Sequence, residues 1–248
     1  MPKIINPWAA GPENQGPTWM DNPWNPGGKE AARYYQEAEA ETSEAPPSLQ
    51  EPWDATLDTA RGVDYLSDVE KDIIFEYNKV RFDPSKYMAD VIYPFMQYYS
   101  GDILTLPNDA GRYRTMEGEK IIDDLKPFMK YMNSRKPFRK LEPSPGLTKA
   151  CRDHVADQGA TGQKGHDGDG GVTPNERMLK YIDSDPLKGT FMRENICYGL
   201  FCTFPKMVVA RLLLDDGVRT RGHRKNIFNS KLRSIGVAIG KHSKSNFM

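Results

Sequence analysis

The chain has 248 residues, and its 34 Lys and Arg balance 34 Asp and Glu, so no global field draws it to nucleic acid or to an anionic membrane. Hydrophobic residues make up 38%, below the roughly 45–50% of an ordinary globular domain, so some segment must contribute little to burial. No run approaches the ~18 apolar residues of a membrane-spanning helix and residues 1–24 lack the apolar centre of a secretory leader, so a cytoplasmic protein is expected.

The low-burial segment is the N-terminus. Residues 1–53 are rich in Pro, Gly, Asn and Glu, with Asn6-Pro7-Trp8, Asn22-Pro23-Trp24-Asn25-Pro26-Gly27-Gly28 and Pro46-Pro47 forbidding continuous helix or strand. Only 29–41 has helical spacing, with a weak apolar face. Yet Trp8, Trp19, Trp24 and Trp53 all lie in this polar stretch. Large aromatics are costly to leave in water and are enriched among interface anchors, so the tail is expected to dock on a protein assembly through these tryptophans. The predicted division is an extended tail over 1–62 and a domain over 63–248.

Within the domain, Ser67-Asp68-Val69-Glu70 spells a capping box, and Val69, Ile73, Tyr77 and Val80 follow at helical spacing until Phe82-Asp83-Pro84. Two short helical pieces are predicted over 87–99, a loop over 100–114, and a helix over 117–133 whose stripe is Ile121, Leu125, Phe128 and Met132, with Pro127 able to kink it. Ser144-Pro145 opens a helix to Gly159 carrying Leu147, Ala150, Cys151 and Val155. A glycine-rich loop over 162–171 contains His166, and Thr173-Pro174-Asn175-Glu176 opens the next helix, through Tyr181. A strand is expected over 194–198, an apolar helix from Pro205 with Gly217 as its cap, and a strand where Ile235, Val237 and Ile239 alternate with Gly and Ala.

Cys151, Cys197 and Cys202 are an odd number in a chain of ordinary size, which favours free thiols over a disulfide framework; a Cys197–Cys202 bridge across a short turn is the one exception left open. His154, His166, His223 and His242 match no compact metal motif, so any site must be assembled by the fold. His154 reads as a structural histidine and His242 as a surface one.

Asn78-Lys79-Val80-Arg81, the 147–156 block, Gly165-His166, Thr173-Pro174-Asn175-Glu176-Arg177, Glu194-Asn195-Ile196, Leu214-Asp215-Asp216-Gly217, Gly222-His223-Arg224 and Ile235-Gly236-Val237 occur in one order along the chain. This series resembles the CAP superfamily, the group of cysteine-rich secretory proteins and antigen 5, in its bacterial and protist form. The resemblance implies an α+β three-layer sandwich, helices flanking a small antiparallel sheet. It also implies a central cavity where two histidines and two acids face one another, here His166, Glu194, Asp216 and His223, with Asp215 competing for the place of Asp216. Neutral imidazoles with carboxylates suit Zn²⁺ or a similar divalent cation, held by His166 and His223.

The chain departs from that pattern at Arg193, where the family has glycine, and after Ile239, where relatives continue into a further core strand; residues 244–248 begin that strand or a partner covers the edge. No nucleophile accompanies the tetrad, so the expected role is a non-catalytic, cytoplasmic interaction module whose tail docks on a large assembly, cytoskeletal or ciliary. The alternatives are a metal-dependent hydrolase using the His/acid cavity and a lipid- or sterol-binding protein of the same superfamily.

Overall fold

The computed structural model describes residues 52–106, 111–182 and 191–248. Helix α1 (Asp68–Phe82) begins at the predicted box: Ser67 accepts from the Glu70 amide while the Glu70 carboxylate accepts from the Ser67 amide. The other Glu70 oxygen accepts from the Ile239 amide at 3.1 Å, so one capping residue also anchors the far end of the chain. Ile73, Ile74 and Val80 bury the apolar stripe, but Asn78 and Arg81 are buried beside them. Asn78 donates to the Leu57 and Leu141 carbonyls and accepts from the Leu141 amide; Arg81 donates to the carbonyls of Arg139, Ile227 and Asn229. The Asn-x-x-Arg pair therefore ties three distant backbone segments to α1.

The folded body reaches further back than the expected boundary at 62/63. Leu57 and Ala60 are fully buried, Asp54 caps a short 3-10 turn (Ala55–Leu57), and Arg61 bridges Asp58 and Asp72. Trp53, expected to face a partner, instead packs against the domain core, edge-on to Tyr87 at 6.3 Å, with the Lys86 ammonium 5.0 Å from its ring centre. Trp8, Trp19 and Trp24 lie outside the described residues.

After Asp83, which caps the next turn through the Lys86 amide, α2 (Pro84–Tyr87), a π-turn (Met88–Ile92) and α3 (Tyr93–Met96) run on without a break. Part of the predicted loop over 100–114 is instead a three-stranded antiparallel sheet: β1 (Tyr99–Ser100), β2 (Ile103–Thr105) and β3 (Arg112–Arg114), with Leu104 opposite Tyr113 and both buried. Strands this short carry too few alternations to show a period of two. Helix α4 (Ile121–Ser134) continues through Pro127, buries Ile121, Leu125 and Met129, and lays Phe128 against Phe228.

Strand β4 (Glu142–Pro143) leads into α5 (Pro145–Thr161), capped by Ser144 and closed by Gly162 in the left-handed region at φ 69°. Helix α6 (Pro174–Leu179) starts at the second predicted box, Thr173 with Glu176. Helix α7 (Pro205–Leu214) buries most of its length; its cap is Asp215, not Gly217, which lies in the following turn. Helix α8 (Gly222–Ile227), β5 (Ser234–Ile235), parallel to β4, and the hairpin β6 (Lys241–His242) with β7 (Asn246–Phe247) complete the order.

The stretch 234–240 shows the layering. Val237 and Ile239 pack into the core built on α1 and α7, while a Cβ at Gly236 would overlap the Leu147–Thr148 backbone of α5 and one at Gly240 would overlap Val155. Alternation of glycine with branched residues thus lets a chain segment lie between two helical layers. The fold is α+β with small sheets. The predicted strands are shorter than their sequence pattern: 194–198 joins no ladder, and only Ser234–Ile235 of the later one pairs.

Gly236→Ala should lower stability by about 1–3 kcal/mol, the cost of overpacking against immovable backbone. Denaturant unfolding of the purified chain checks this, and an unchanged midpoint would refute the close approach.

Candidate functional site

Arg177, on α6, does the first assembly step. Its buried guanidinium donates to the Val172 carbonyl at 2.8 Å, to the His166 carbonyl at 2.9 Å and to Glu194 Oε2 at 2.8 Å. The loop carrying His166 is thereby fixed to the segment carrying Glu194, and His166 Nδ1 meets Glu194 Oε1 at 2.8 Å. His154 and Gln158 on α5 hold the same loop at the Gly165 carbonyl, at 3.0 and 2.9 Å. His154 is therefore structural; burial moves its pKa below the usual value. Arg177 was legible only as the last residue of the Thr173-Pro174-Asn175-Glu176-Arg177 block, with nothing to mark its role.

The second histidine opens α8. His223 Nδ1 lies 2.6 Å from Asp215 Oδ1, and Asp215 Oδ2 accepts from the Arg224 amide at 3.2 Å. Asp215 ends α7 in the left-handed conformation, φ 59°, which turns its side chain into the interior. Asp216, the expected partner, points elsewhere: it accepts from the Met116 amide at 2.9 Å and the Glu117 amide at 2.8 Å, closing the turn that precedes α4. The left-handed residue sends the two adjacent carboxylates in different directions, so Asp215 takes the place assigned to Asp216.

The two pairs are linked through backbone. Asn226 of α8 donates to the Glu194 carbonyl and to Asn195 Oδ1, and Asn195 donates to the His223 carbonyl. Among the described residues no three His, Cys, Asp or Glu side chains gather closely enough to hold a metal ion. Glu194, moreover, already neutralises the Arg177 cation. The divalent cation considered for His166 and His223 does not fit this donor arrangement.

Beside the pairs lies a cavity of about 380 Å³ between α1, α5 and α7, lined among others by Ile73, Tyr77, Leu147, Cys151, Leu212 and Val237. Glu194 and Arg177 reach its wall, whereas His166 and His223 do not line it. Arg193 lines it too, exposed and lying over Phe191 with its guanidinium carbon 3.9 Å from the ring centre. His242, expected at the surface, is buried, with Nε2 2.8 Å from the Gln163 carbonyl and its ring edge-on to Tyr198.

These ordered blocks and their geometry agree with a comparison against family models: the CAP model, cysteine-rich secretory protein family, matches residues 76–248. The chain belongs to the CAP family. No curated protein and no solved structure matches it. In this CAP domain the His/acid residues form two pairs rather than one four-membered cluster.

The hydrogen bond to Glu194 raises the His166 pKa above its usual value, against the opposing effect of burial. For Glu194, burial is the largest influence and pushes upward, but the bonds from His166 and Arg177 together outweigh it and hold the carboxyl low. A raised histidine contributes stability that is complete below its unfolded pKa and lost as pH rises through its folded pKa. A lowered carboxyl contributes stability that is complete above its unfolded pKa and lost as pH falls through its folded pKa. The pair is thus worth most between about pH 4.3 and 6.5. Glu194→Gln should lower the His166 pKa in an NMR titration and narrow the stability gap to wild type above that window; an unmoved His166 titration would contradict the pairing.

Proposed function

We propose that the protein is a non-catalytic CAP-domain module that binds a large protein assembly through its N-terminal arm. One observation carries the non-catalytic half. Every carboxylate of the constellation is occupied at both oxygens: Glu194 by His166 and Arg177, Asp215 by His223 and the Arg224 amide, Asp216 by the Met116 and Glu117 amides. No carboxylate is left to act as a base without breaking a fixed contact, and among the described residues neither imidazole has a hydroxyl or thiol hydrogen-bonded to it that could serve as nucleophile. The purified chain should therefore show no hydrolysis of ester or peptide substrates with added divalent metal. Turnover that disappears in His223→Ala, with the fold intact by circular dichroism, would reverse this reading.

The docking half is supported by the sequence of the arm. Ordering an extended polar segment costs roughly 1–2 kcal/mol per residue in backbone freedom, so contacts from outside must compensate. Trp8, Trp19 and Trp24 can supply them, since aromatic anchors are worth 2 kcal/mol or more each in well-packed interfaces, and the prolines between them reduce the freedom to be lost. A cytoskeletal or ciliary lattice, with repeated grooves, suits such an arm. Because Trp53 belongs to the domain, the informative deletion ends at residue 51. In cell fractionation, that deletion should release the protein from the insoluble cytoskeletal fraction while His166→Ala/His223→Ala stays in it. The opposite partition would place the binding in the His/acid pairs.

A further inference from the structure

The chain is neutral as a whole, but its charge is spread unevenly along the sequence. From Gly217 to Met248 there is no Asp or Glu against a run of lysines and arginines. From Gln36 to Glu51 the reverse holds: there is no Lys or Arg against Glu37, Glu39, Glu41, Glu44 and Glu51. The fold spends part of the positive run internally, where Arg221 and Arg224 pair with Glu117 and Asp124.

Another part stands at the rim of the cavity. Of the residues that line it, the exposed ones are Arg193, Lys231, Arg233 and Ser234. Phe191 draws two of these cations together, its ring centre 3.9 Å from the Arg193 guanidinium carbon and 5.3 Å from the Lys231 ammonium. Arg193 donates to the Met192 carbonyl and Arg233 to the Ser230 and Leu232 carbonyls, and among the described residues none of the three cations pairs with a carboxylate. Like charges gathered in this way repel, and an anion laid across them removes the repulsion.

The arm enters the domain beside this rim. Lys140 donates to the Thr56 carbonyl at 2.8 Å, Thr59 donates to the Leu141 carbonyl at 2.8 Å, and the Glu142 amide donates to the Arg233 carbonyl at 3.0 Å. A short path through 140–142 thus joins the end of the arm to the cations. When extended, the 37–51 stretch spans roughly 50 Å, whereas a domain of this size is roughly 40 Å across, so its glutamates reach the whole rim.

We propose that residues 37–51 fold back over the cavity rim as an intramolecular clamp, their glutamates paired with Arg193, Lys231 and Arg233. Exposed ion pairs are individually weak, but a short tether holds the glutamates at an effective concentration on the order of millimolar, which an acidic partner from solution has to match unaided. The clamp lies between the domain and Trp8, Trp19 and Trp24 in sequence, so it sets where the arm leaves the domain and is independent of what those tryptophans bind.

The test treats the full chain at low salt with a water-soluble carbodiimide, which joins a carboxylate to a lysine in direct contact, and maps the monomer by peptide mass spectrometry. Links from 37–51 to Lys231 should exceed those to Lys225, Lys241 and Lys244, which are also exposed, by about tenfold. They should fall severalfold in about 0.5 M sodium chloride, because exposed pairs are screened. Arg193→Glu/Arg233→Glu should lower them by a similar factor with circular dichroism unchanged; if that variant does not fold, the salt series on the wild-type chain decides. Links spread evenly over these lysines, links that salt does not weaken, or links found only between two chains in a dimer that grows with concentration each overturn the clamp.

Discussion

Arg81 carries its charge into the interior, where among the described residues it pairs with no carboxylate; the carbonyls of Arg139, Ile227 and Asn229 share it instead. Removing a charge from water costs several kcal/mol unless it is well hydrogen-bonded, and burial here draws the Arg81 pKa down to about 10. The domain recovers that cost only when the segment before β4 and the end of α8 present their carbonyls to α1 together. Since α8 also carries His223 and Asn226, the placement of both His/acid pairs depends on this one cation being satisfied.

Two further buried arginines work in the same way. Arg224 donates to the Leu213 and Leu214 carbonyls, the last of α7, and so holds the helix terminus from which Asp215 turns inward. Positive charge at a helix C-terminus also favours the macrodipole. Arg177 does for the His166 loop what Arg224 does for Asp215. In each case a guanidinium fixes backbone first and a carboxylate second, because its planar fork spans acceptors that a lysine ammonium would reach one at a time.

Helix starts were the most legible features, since Ser67 with Glu70 and Thr173 with Glu176 are local signals obeyed locally. The sheet over 99–114 was hidden because its strands are two or three residues long. The alternation at 235–239 correctly marked one branched face and one close-packed face, but a ladder needs a neighbour at hydrogen-bond distance, and a pattern cannot supply one. In the site, His166, Glu194 and His223 were marked by their motifs, whereas choosing between Asp215 and Asp216 required the backbone angle at a helix end. Trp53 looked like part of the arm because composition changes gradually there and does not show that its ring packs on the core beside Tyr87.

The Glu70 carboxylate accepts from the Ile239 amide across 169 positions of sequence, and Arg81 reaches Asn229 across 148. Contacts this distant raise the contact order and slow folding. They also impose a sequence of events on a ribosome, which releases α1 long before the residues that satisfy its buried polar groups. Until residue 229 has emerged, Arg81 remains better solvated than buried, so the first helix is held back from collapse by its own polar face. That delay also leaves Ile73, Ile74 and Val80 uncovered on the nascent chain, and apolar surface exposed in this way is what makes incomplete chains prone to aggregate.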